Sequence, residues 1–362
     1  MLFQRITGLR PVLAGLAVMA AACSPKADVK PADTTAAVAP DGERGYLAYV
    51  TNEDSRNISI IDVGTDSVVA TLEVGTRPRG VKTSPDGRTV YVALSGSPKC
   101  PPTMPDEECE KLSADKSKDG IAAVDVAMRT VARVLPGGSD PEAFDLSADG
   151  TKLYVSNEDA HLASVVDIAS GQVVTSVKVG REPEGVTRSP DGKTVWVTGE
   201  TDHDLTILDA ATGQVIGRVE VGLRPRGVAF LPDGSRAYST NEAAGSVSVI
   251  DVANRKVIAT IAMGKDAKPM GIAVAPDGKH VYVSNGRGKT VSEIDVATNQ
   301  VTRSVEAGVR PWGIALTPDG RKLYAANGPS NNVTVIDVPT FTVVKTVPVG
   351  TGAWGVAIGR AP

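Results

Sequence analysis

Two histidines and two glutamates recur at one spacing in the middle of this 362-residue chain. His161 and His203 lie 42 residues apart, and Glu158 and Glu200 precede them by three residues each. Imidazole and carboxylate groups together can hold a divalent metal that activates water for hydrolysis. The chain has no short-spaced pair such as HxxxH. A metal site therefore requires that folding bring positions 42 residues apart together.

The spacing of 42 residues is the period of the whole chain. A four-residue phrase recurs seven times, as YVTN, YVAL, YVSN, WVTG, YSTN, YVSN and YAAN, headed by Tyr49, Tyr91, Tyr154, Trp196, Tyr238, Tyr282 and Tyr324. Successive copies are 42, 63, 42, 42, 44 and 42 residues apart, so the second interval holds one repeat and 21 inserted residues. A fixed period of this length predicts a repeat architecture.

Each repeat has the pattern of four short strands. In one clear copy, apolar runs at 227–231, 236–240, 246–252 and 256–263 are separated by turn residues. Four antiparallel strands per repeat are typical of a propeller blade, so we expect an all-β, seven-bladed β-propeller over residues 45–362. The region opens on a second strand and ends on an unpaired first strand at 354–359. We expect that last strand to complete the first blade and leave no open edge.

Residues shared by the repeats are assigned to folding. An Asp ends each third strand, and in six hairpins another Asp precedes Gly; both sets are expected to hold turns. They are Asp62, Asp125, Asp167, Asp209, Asp251, Asp295 and Asp337, then Asp86, Asp149, Asp191, Asp233, Asp277 and Asp319. The aromatic residue heading each second strand is assigned to packing. Function is expected where the repeats differ.

The repeats differ most where one blade connects to the next, in the frame Gly-x-x-Pro-x-Gly. Pro fixes this turn and Gly lets the inner strands crowd the axis, so the residue between them should ring one mouth of the channel. These ring residues are Arg79, Glu142, Glu184, Arg226, Met270, Trp312 and Trp354. A tryptophan pair facing solvent favours a surface that binds a small molecule or a partner protein.

The loop between the second and third strands opens on the same face. It carries acids in most repeats, namely Glu53, Asp54, Glu158, Asp159, Glu200, Asp202 and Glu242, while the last two repeats have Gly286 and Gly328. The insertion at 97–119 lies in this loop of the second blade. Its Cys100 and Cys109 are expected to form a disulfide in an oxidising compartment; a thiol metal site is the alternative.

The N-terminal segment predicts export. Two arginines precede a short apolar run at 11–22, as in a secretory signal peptide, and the run ends in small residues before Cys23. This end resembles the lipobox of bacterial lipoproteins, although Ala20 stands where that pattern usually has Leu; the resemblance implies a lipidated Cys23, and Ser24 implies the outer membrane. Cleavage that leaves a free thiol is the alternative. Residues 23–44 are expected to form a flexible tether.

The phrases YVTN, YVSN, SPDG, IDVAT and VGxxPxG resemble the YVTN-repeat β-propeller family over the whole region from 46 to 360. Within that family the chain is similar to exported propellers with a lactonase-like fold or associated with periplasmic redox and quinone-dependent alcohol catabolism. The resemblance implies the fold and leaves the activity open. The tryptophan motifs of quinone-dependent dehydrogenases and the CxxCH haem motif are missing, so no such cofactor is predicted.

Three function classes follow. The first is a periplasmic, lipid-anchored monomer that binds a small ligand or protein on its ring face. The second is a lactonase-like hydrolase with a metal held by Glu158, His161, Glu200 and His203; the chain lacks a GxSxG elbow. The third is nucleic-acid binding through Arg77, Arg79, Arg224, Arg226 and Arg310. It ranks last because the net charge is −4, and −6 once residues 1–22 with their two arginines are removed.

Overall fold

A computed structural model describes residues 45–99, 104, 106–109, 112–264 and 266–361. These residues form seven four-stranded antiparallel sheets. The prediction of a seven-bladed all-β propeller is therefore confirmed. The signal peptide, Cys23 and the tether lie outside the described residues, as do Cys100 and the side chain of Cys109, so export, lipidation and the disulfide stay predictions.

The strands follow the repeat in order from the axis outward. Blade 1 contains β1 (Tyr46–Asn52), β2 (Asn57–Asp62) and β3 (Ser67–Glu73). Blade 2 contains β4 (Val81–Thr83), β5 (Thr89–Leu94), β6 (Gly120–Asp125) and β7 (Thr130–Leu135). Blade 3 contains β8 (Pro141–Leu146), β9 (Lys152–Asn157), β10 (Leu162–Asp167) and β11 (Gln172–Lys178). Blade 4 contains β12 (Pro183–Arg188), β13 (Thr194–Gly199), β14 (Asp204–Asp209) and β15 (Val215–Glu220).

The remaining blades repeat this order. Blade 5 contains β16 (Pro225–Phe230), β17 (Arg236–Asn241), β18 (Ser246–Asp251) and β19 (Lys256–Ala262). Blade 6 contains β20 (Pro269–Val274), β21 (His280–Asn285), β22 (Thr290–Asp295) and β23 (Gln300–Glu306). Blade 7 contains β24 (Pro311–Leu316), β25 (Lys322–Asn327), β26 (Asn332–Asp337) and β27 (Thr342–Pro348). A short helix α1 (Asp106–Cys109) and a 3-10 turn (Lys116–Lys118) lie in the insertion of blade 2.

The ring is closed by the last strand, β28 (Ala353–Arg360), as the sequence predicts. This strand pairs antiparallel with β1, with Leu47 opposite Gly359 and Tyr49 opposite Ala357. Inner strands of successive blades lie side by side around the axis, and β28 lies between β24 and β4. Closure leaves no unpaired inner edge in blade 1.

The core lies between the blades. Seven apolar clusters fill the spaces between neighbouring sheets in the described region, and each contains strand residues from two blades. The aromatic residues heading the second strands are at most 5% exposed, which confirms their assignment to packing. A blade buries both of its faces in this way, so its strands read as apolar runs.

The turn aspartates behave as predicted. The Asp that ends each third strand accepts a hydrogen bond from the backbone N–H three residues later, at 2.8–3.0 Å in all seven blades. The six hairpin aspartates accept from the N–H two residues later, at 2.9–3.1 Å. These thirteen carboxylates hold turns, and function is sought elsewhere.

Candidate functional site

The ring residues surround one mouth of the axial channel. Each lies near the start of an inner strand and is followed by a small residue where neighbouring strands come close. A Cβ on Gly185 would lie 2.3 Å from the carbonyl oxygen of Arg226, whereas blade 3 has Ala143 at the equivalent position. Six of the seven side chains line a cavity of about 180 Å³, namely Glu142, Glu184, Arg226, Met270, Trp312 and Trp354. The seventh, Arg79, precedes the lining residue Gly80. The structure therefore brings the predicted ring residues together at one mouth. Their role in binding stays a prediction.

One part of the mouth is a buried ion cluster around Arg79. This guanidinium is 3% exposed, contacts Asp140 and Glu142, and lies 3.3 Å from the carboxylate of Glu158. Burial raises the pKa of Glu142 well above its usual value; Arg79 opposes this rise and the Glu158 carboxylate adds to it. Asp140 was not singled out in the sequence, although it stands in the same position before Pro as Arg77 and Arg310.

A second ion cluster surrounds Arg226. Its guanidinium contacts Glu184 and lies 2.7 Å from Glu200 and 2.6 Å from Glu242. Arg224 also contacts Glu200. Burial raises the pKa of Glu200 to about 7 against the lowering effect of Arg224, and the Glu182 carboxylate adds to the rise. The acids and arginines of blades 2 to 5 therefore neutralise one another.

The other part of the mouth is aromatic. Trp312 and Trp354, in adjacent blades, have ring centroids 5.4 Å apart and planes inclined at 33°. The guanidinium carbons of Arg310 and Arg226 lie 4.8 Å and 5.7 Å from the centroid of Trp312. Both indoles are half-buried, whereas Trp196 in the core is 1% exposed. A pair of accessible indoles next to a cavity provides a flat apolar surface with cations beside it.

The four predicted metal ligands are engaged by other groups. Nδ1 of His161 lies 3.3 Å from the backbone N of Glu182, and Nδ1 of His203 lies 2.8 Å from the carbonyl oxygen of Glu200. Both histidines have left-handed φ values, 55° and 58°, which suits the turn before the third strand. Arg56, Lys289 and Asn331 hold the same turn in other blades.

No three His, Cys, Asp or Glu side chains form a group that could hold a metal ion in the part of the chain that the structure describes. The two glutamates of the predicted set face arginines, since Glu158 pairs with Arg79 and Glu200 with Arg224 and Arg226. The metal site stays a prediction, and no group of ligands among the described residues supports it.

The ends of the inserted segment are attached to the same face. Arg77 donates to the carbonyl oxygens of Ser97 and Pro98 at 2.6 and 3.1 Å while it also binds Glu53. Lys99 lies 2.9 Å from Glu53, and Lys116 contacts Asp159 of blade 3. These contacts place both ends of the insertion beside the mouth, as its location in the loop predicts.

The arginines proposed for nucleic acid are mostly neutralised. Four of the five, Arg77, Arg79, Arg224 and Arg226, are paired with carboxylates. A phosphate backbone would have to compete with these ion pairs. Nucleic-acid binding keeps its last rank.

Family models match two parts of the chain. Residues 188–344 match the seven-bladed lactonase β-propeller model, and residues 106–189 match the YNCE-like β-propeller model. A search of curated proteins gave no significant match.

Similar solved structures cover most of the chain. Kuenenia stuttgartiensis hydrazine synthase is similar over 83% of this chain and 94% of that one, with a TM-score of 0.69 and 22% identity. A candidate 6-phosphogluconolactonase from Bacteroides fragilis covers 88% and 99%, with a TM-score of 0.72 and 18% identity. Another from Bacteroides uniformis covers 87% and 100%, with a TM-score of 0.69 and 19% identity. At these identities the likeness shows the fold alone.

Among the described residues, no helix is both long and apolar enough to cross a bilayer. The repeats, the seven sheets, their closure by β28 and the two model matches agree with one another. The chain is a seven-bladed β-propeller, of which one part is similar to the lactonase propeller model and another to the YNCE-like propeller model.

Proposed function

We propose that this protein is an exported binding propeller that captures a ligand at the ring mouth. The observation that carries the proposal is the Trp312–Trp354 pair, which is half-buried beside a cavity of about 180 Å³. Large aromatic surfaces that stay accessible at a concave site favour ligand binding. The neutralised ion clusters of blades 2 to 5 hold the other side of the mouth rigid, because each buried charge has partners.

A small molecule is the favoured ligand, since the cavity directly adjoins the indoles. A partner protein is the other outcome, and the insertion of blade 2 would then widen the contact area. The family resemblance suggests a role accessory to periplasmic redox or alcohol catabolism. In this proposal Cys23 carries the lipid that anchors the protein, with the outer membrane favoured.

A thermal-shift screen tests the proposal. The wild-type protein from residue 24 onward and a Trp312→Ala/Trp354→Ala variant are screened against a library of water-soluble metabolites. A ligand at 100 times its Kd stabilises the folded chain by about 2.7 kcal/mol, which gives a visible rise in Tm. We expect hits that raise the Tm of the wild type and not that of the variant. Equal shifts in both proteins would contradict a site at the indoles.

A lactonase-like hydrolase is the second candidate. It is favoured by the lactonase-model match over 188–344, a region that contains Glu200, whose pKa of about 7 suits a general base or acid. Hydrolysis of glucono-δ-lactone, followed by acid release, is compared between the wild type, Glu200→Gln and His161→Ala/His203→Ala. Loss of turnover in both variants, with a stoichiometric metal in the wild type by elemental analysis, would put this candidate first. Unchanged slow hydrolysis in all three would remove it.

A further inference from the structure

The residue before the first proline of each inner strand occupies a second set of equivalent positions at this mouth. All seven residues have positive φ. They are Arg77, Asp140, Glu182, Arg224, Lys268, Arg310 and Gly352. Gly352 belongs to blade 1, where Ala353 stands in place of the proline. Three are arginines. Two of those bind the glutamate that opens the loop of the preceding blade: Arg77 lies 2.8 Å from Glu53, and Arg224 contacts Glu200.

Arg310 is the third of these arginines and lacks that partner. The equivalent loop residue of blade 6 is Gly286, whose backbone N–H donates to the carbonyl of Lys268 at 2.9 Å, just as Glu200 N–H donates to Glu182 at 3.1 Å. A Cβ on Gly286 would lie 3.7 Å from Cγ of Arg310. The backbone arrangement is therefore conserved between the blades, while the carboxylate is missing. Arg310 forms no ion pair with any carboxylate in the described part of the chain.

Arg310 is half-buried, which makes the absence of a carboxylate partner costly. Burial lowers the pKa of Arg310, and the nearby Arg226 lowers it further, although the Glu242 carboxylate opposes this. That carboxylate is already bound to Arg226 at 2.6 Å. The guanidinium carbon of Arg310 lies 4.8 Å from the ring centroid of Trp312. The equivalent arginines of blades 2 and 5 are paired with glutamates of the same chain. An oxyanion from solvent would supply the partner that Arg310 lacks.

We propose that Arg310 binds the carboxylate of a small ligand, in the place that the loop glutamate takes beside Arg77 and Arg224. The flat apolar part of that ligand lies against Trp312 and Trp354. This inference rests on the proposed function and adds the chemical class of the ligand to it. A planar guanidinium suits a carboxylate, and the adjoining indole pair suits a flat ring.

Isothermal titration calorimetry with defined probes tests the proposal. The carboxylates are benzoate and 2-naphthoate, their neutral counterparts are benzamide and 2-naphthamide, and sodium phosphate is an anion without an apolar part. We expect the carboxylates to bind the wild type at least tenfold more tightly than the amides and phosphate, since a charge-assisted hydrogen bond is lost with the amide and the stacking surface with phosphate.

Matched variants at the two positions separate charge from shape. Arg310→Gln removes the cation. Gly286→Glu restores the internal carboxylate, whereas Gly286→Gln fills the same space without the charge. Either side chain meets Cγ of Met270 at 3.0 Å from the new Cβ, and that flexible side chain can yield. We expect carboxylate affinity to fall at least tenfold in Arg310→Gln and Gly286→Glu, and to fall less in Gly286→Gln. Arg77→Gln serves as the control, because Arg77 is already paired with Glu53.

The outcomes distinguish this inference from the proposed function. If the amides bind as tightly as the carboxylates, and Arg310→Gln binds both kinds of probe as tightly as the wild type does, the inference is overturned. Ligand binding at the indoles then still stands. If phosphate binds as tightly as 2-naphthoate, the apolar half of the site is overturned. If no probe binds the wild type, the inference is overturned, and the proposed function fails with it only if the tryptophan-dependent screen also gives no hit.

Discussion

The indole rings of Trp312 and Trp354 pack with centroids 5.4 Å apart at the edge of the axial cavity. They come from β24 and β28, so the pair exists only because the last strand of the chain closes the ring beside blade 7. The third tryptophan, Trp196, is buried in the core between blades 4 and 5.

This difference in burial predicts distinct fluorescence. We expect acrylamide to quench the wild type strongly through the accessible pair. A Trp312→Phe/Trp354→Phe variant should emit at shorter wavelength and resist quenching, because Trp196 is 1% exposed. Trp196→Phe is the matched control and should retain the quenchable emission. Equal quenching constants for the wild type and the double variant would mean that the pair is not accessible.

Arg79 is predicted to be a stabilising residue whose loss is expensive. Arg79→Met would leave Asp140, Glu142 and Glu158 without their shared cation, and breaking a buried ion cluster in this way costs about 3–5 kcal/mol. The exposed pair of Arg181 and Asp202 provides the control, since Arg181→Met should cost less than about 1 kcal/mol. Urea unfolding of both variants measures the difference. Similar small losses would show that the cluster contributes no net stability.

Glu200 is predicted to make stability depend on pH. Its pKa is raised from 4.5 to about 7 in the folded chain, so between these values the folded state binds more protons than the unfolded state. This group therefore stabilises the fold most at low pH, and its contribution falls as pH rises from about 4.5 to 7. Glu200→Gln cannot lose a proton. We therefore compare the unfolding free energy of Glu200→Gln with that of the wild type. The difference, variant minus wild type, should rise by on the order of 1–3 kcal/mol between pH 5 and 7.5.

Glu220→Gln, at an exposed position in β15, is the matched control for replacing a carboxylate by an amide. A gain of the opposite sign at Glu200 would mean that its ion pairs with Arg224 and Arg226 outweigh its burial.

Closure by β28 is predicted to be essential for folding. Truncation after Gly352 removes the partner of β1 and exposes that inner edge and the apolar cluster between blades 1 and 7. We expect the truncated chain to be insoluble or to bind hydrophobic dyes. Removing only residues 361 and 362 is the control and should leave the Tm within a few degrees. A soluble truncated chain that unfolds cooperatively would contradict a role for closure in stability.

Cys23 is predicted to carry a lipid. Cys23→Ser should move the protein from the membrane fraction to the soluble exported fraction and abolish incorporation of a labelled fatty acid. Cys109→Ser is the matched control, because it removes a cysteine from the propeller region and leaves the predicted signal unchanged. Membrane association that survives Cys23→Ser would contradict the lipid anchor.

The sequence alone determined the architecture, because each repeat contains the same pattern of strand and turn residues and therefore folds into the same four-stranded unit. Seven aromatic heads, thirteen turn aspartates and an unpaired final strand each follow from short-range rules of strand, turn and edge, and the structure confirms them. The ring of side chains could also be placed at one mouth, since alternating strand direction assigns loops to faces.

The tertiary structure alone decided which of those side chains are neutralised. The pairing of Arg226 with Glu184, Glu200 and Glu242 joins blades 4 and 5. The imidazoles of His161 and His203 lie against backbone groups of Glu182 and Glu200. Charge compensation depends on distances of a few ångströms and on burial, which one-dimensional spacing does not fix. For that reason the missing partner of Arg310 could be seen only once Gly286 was placed beside it.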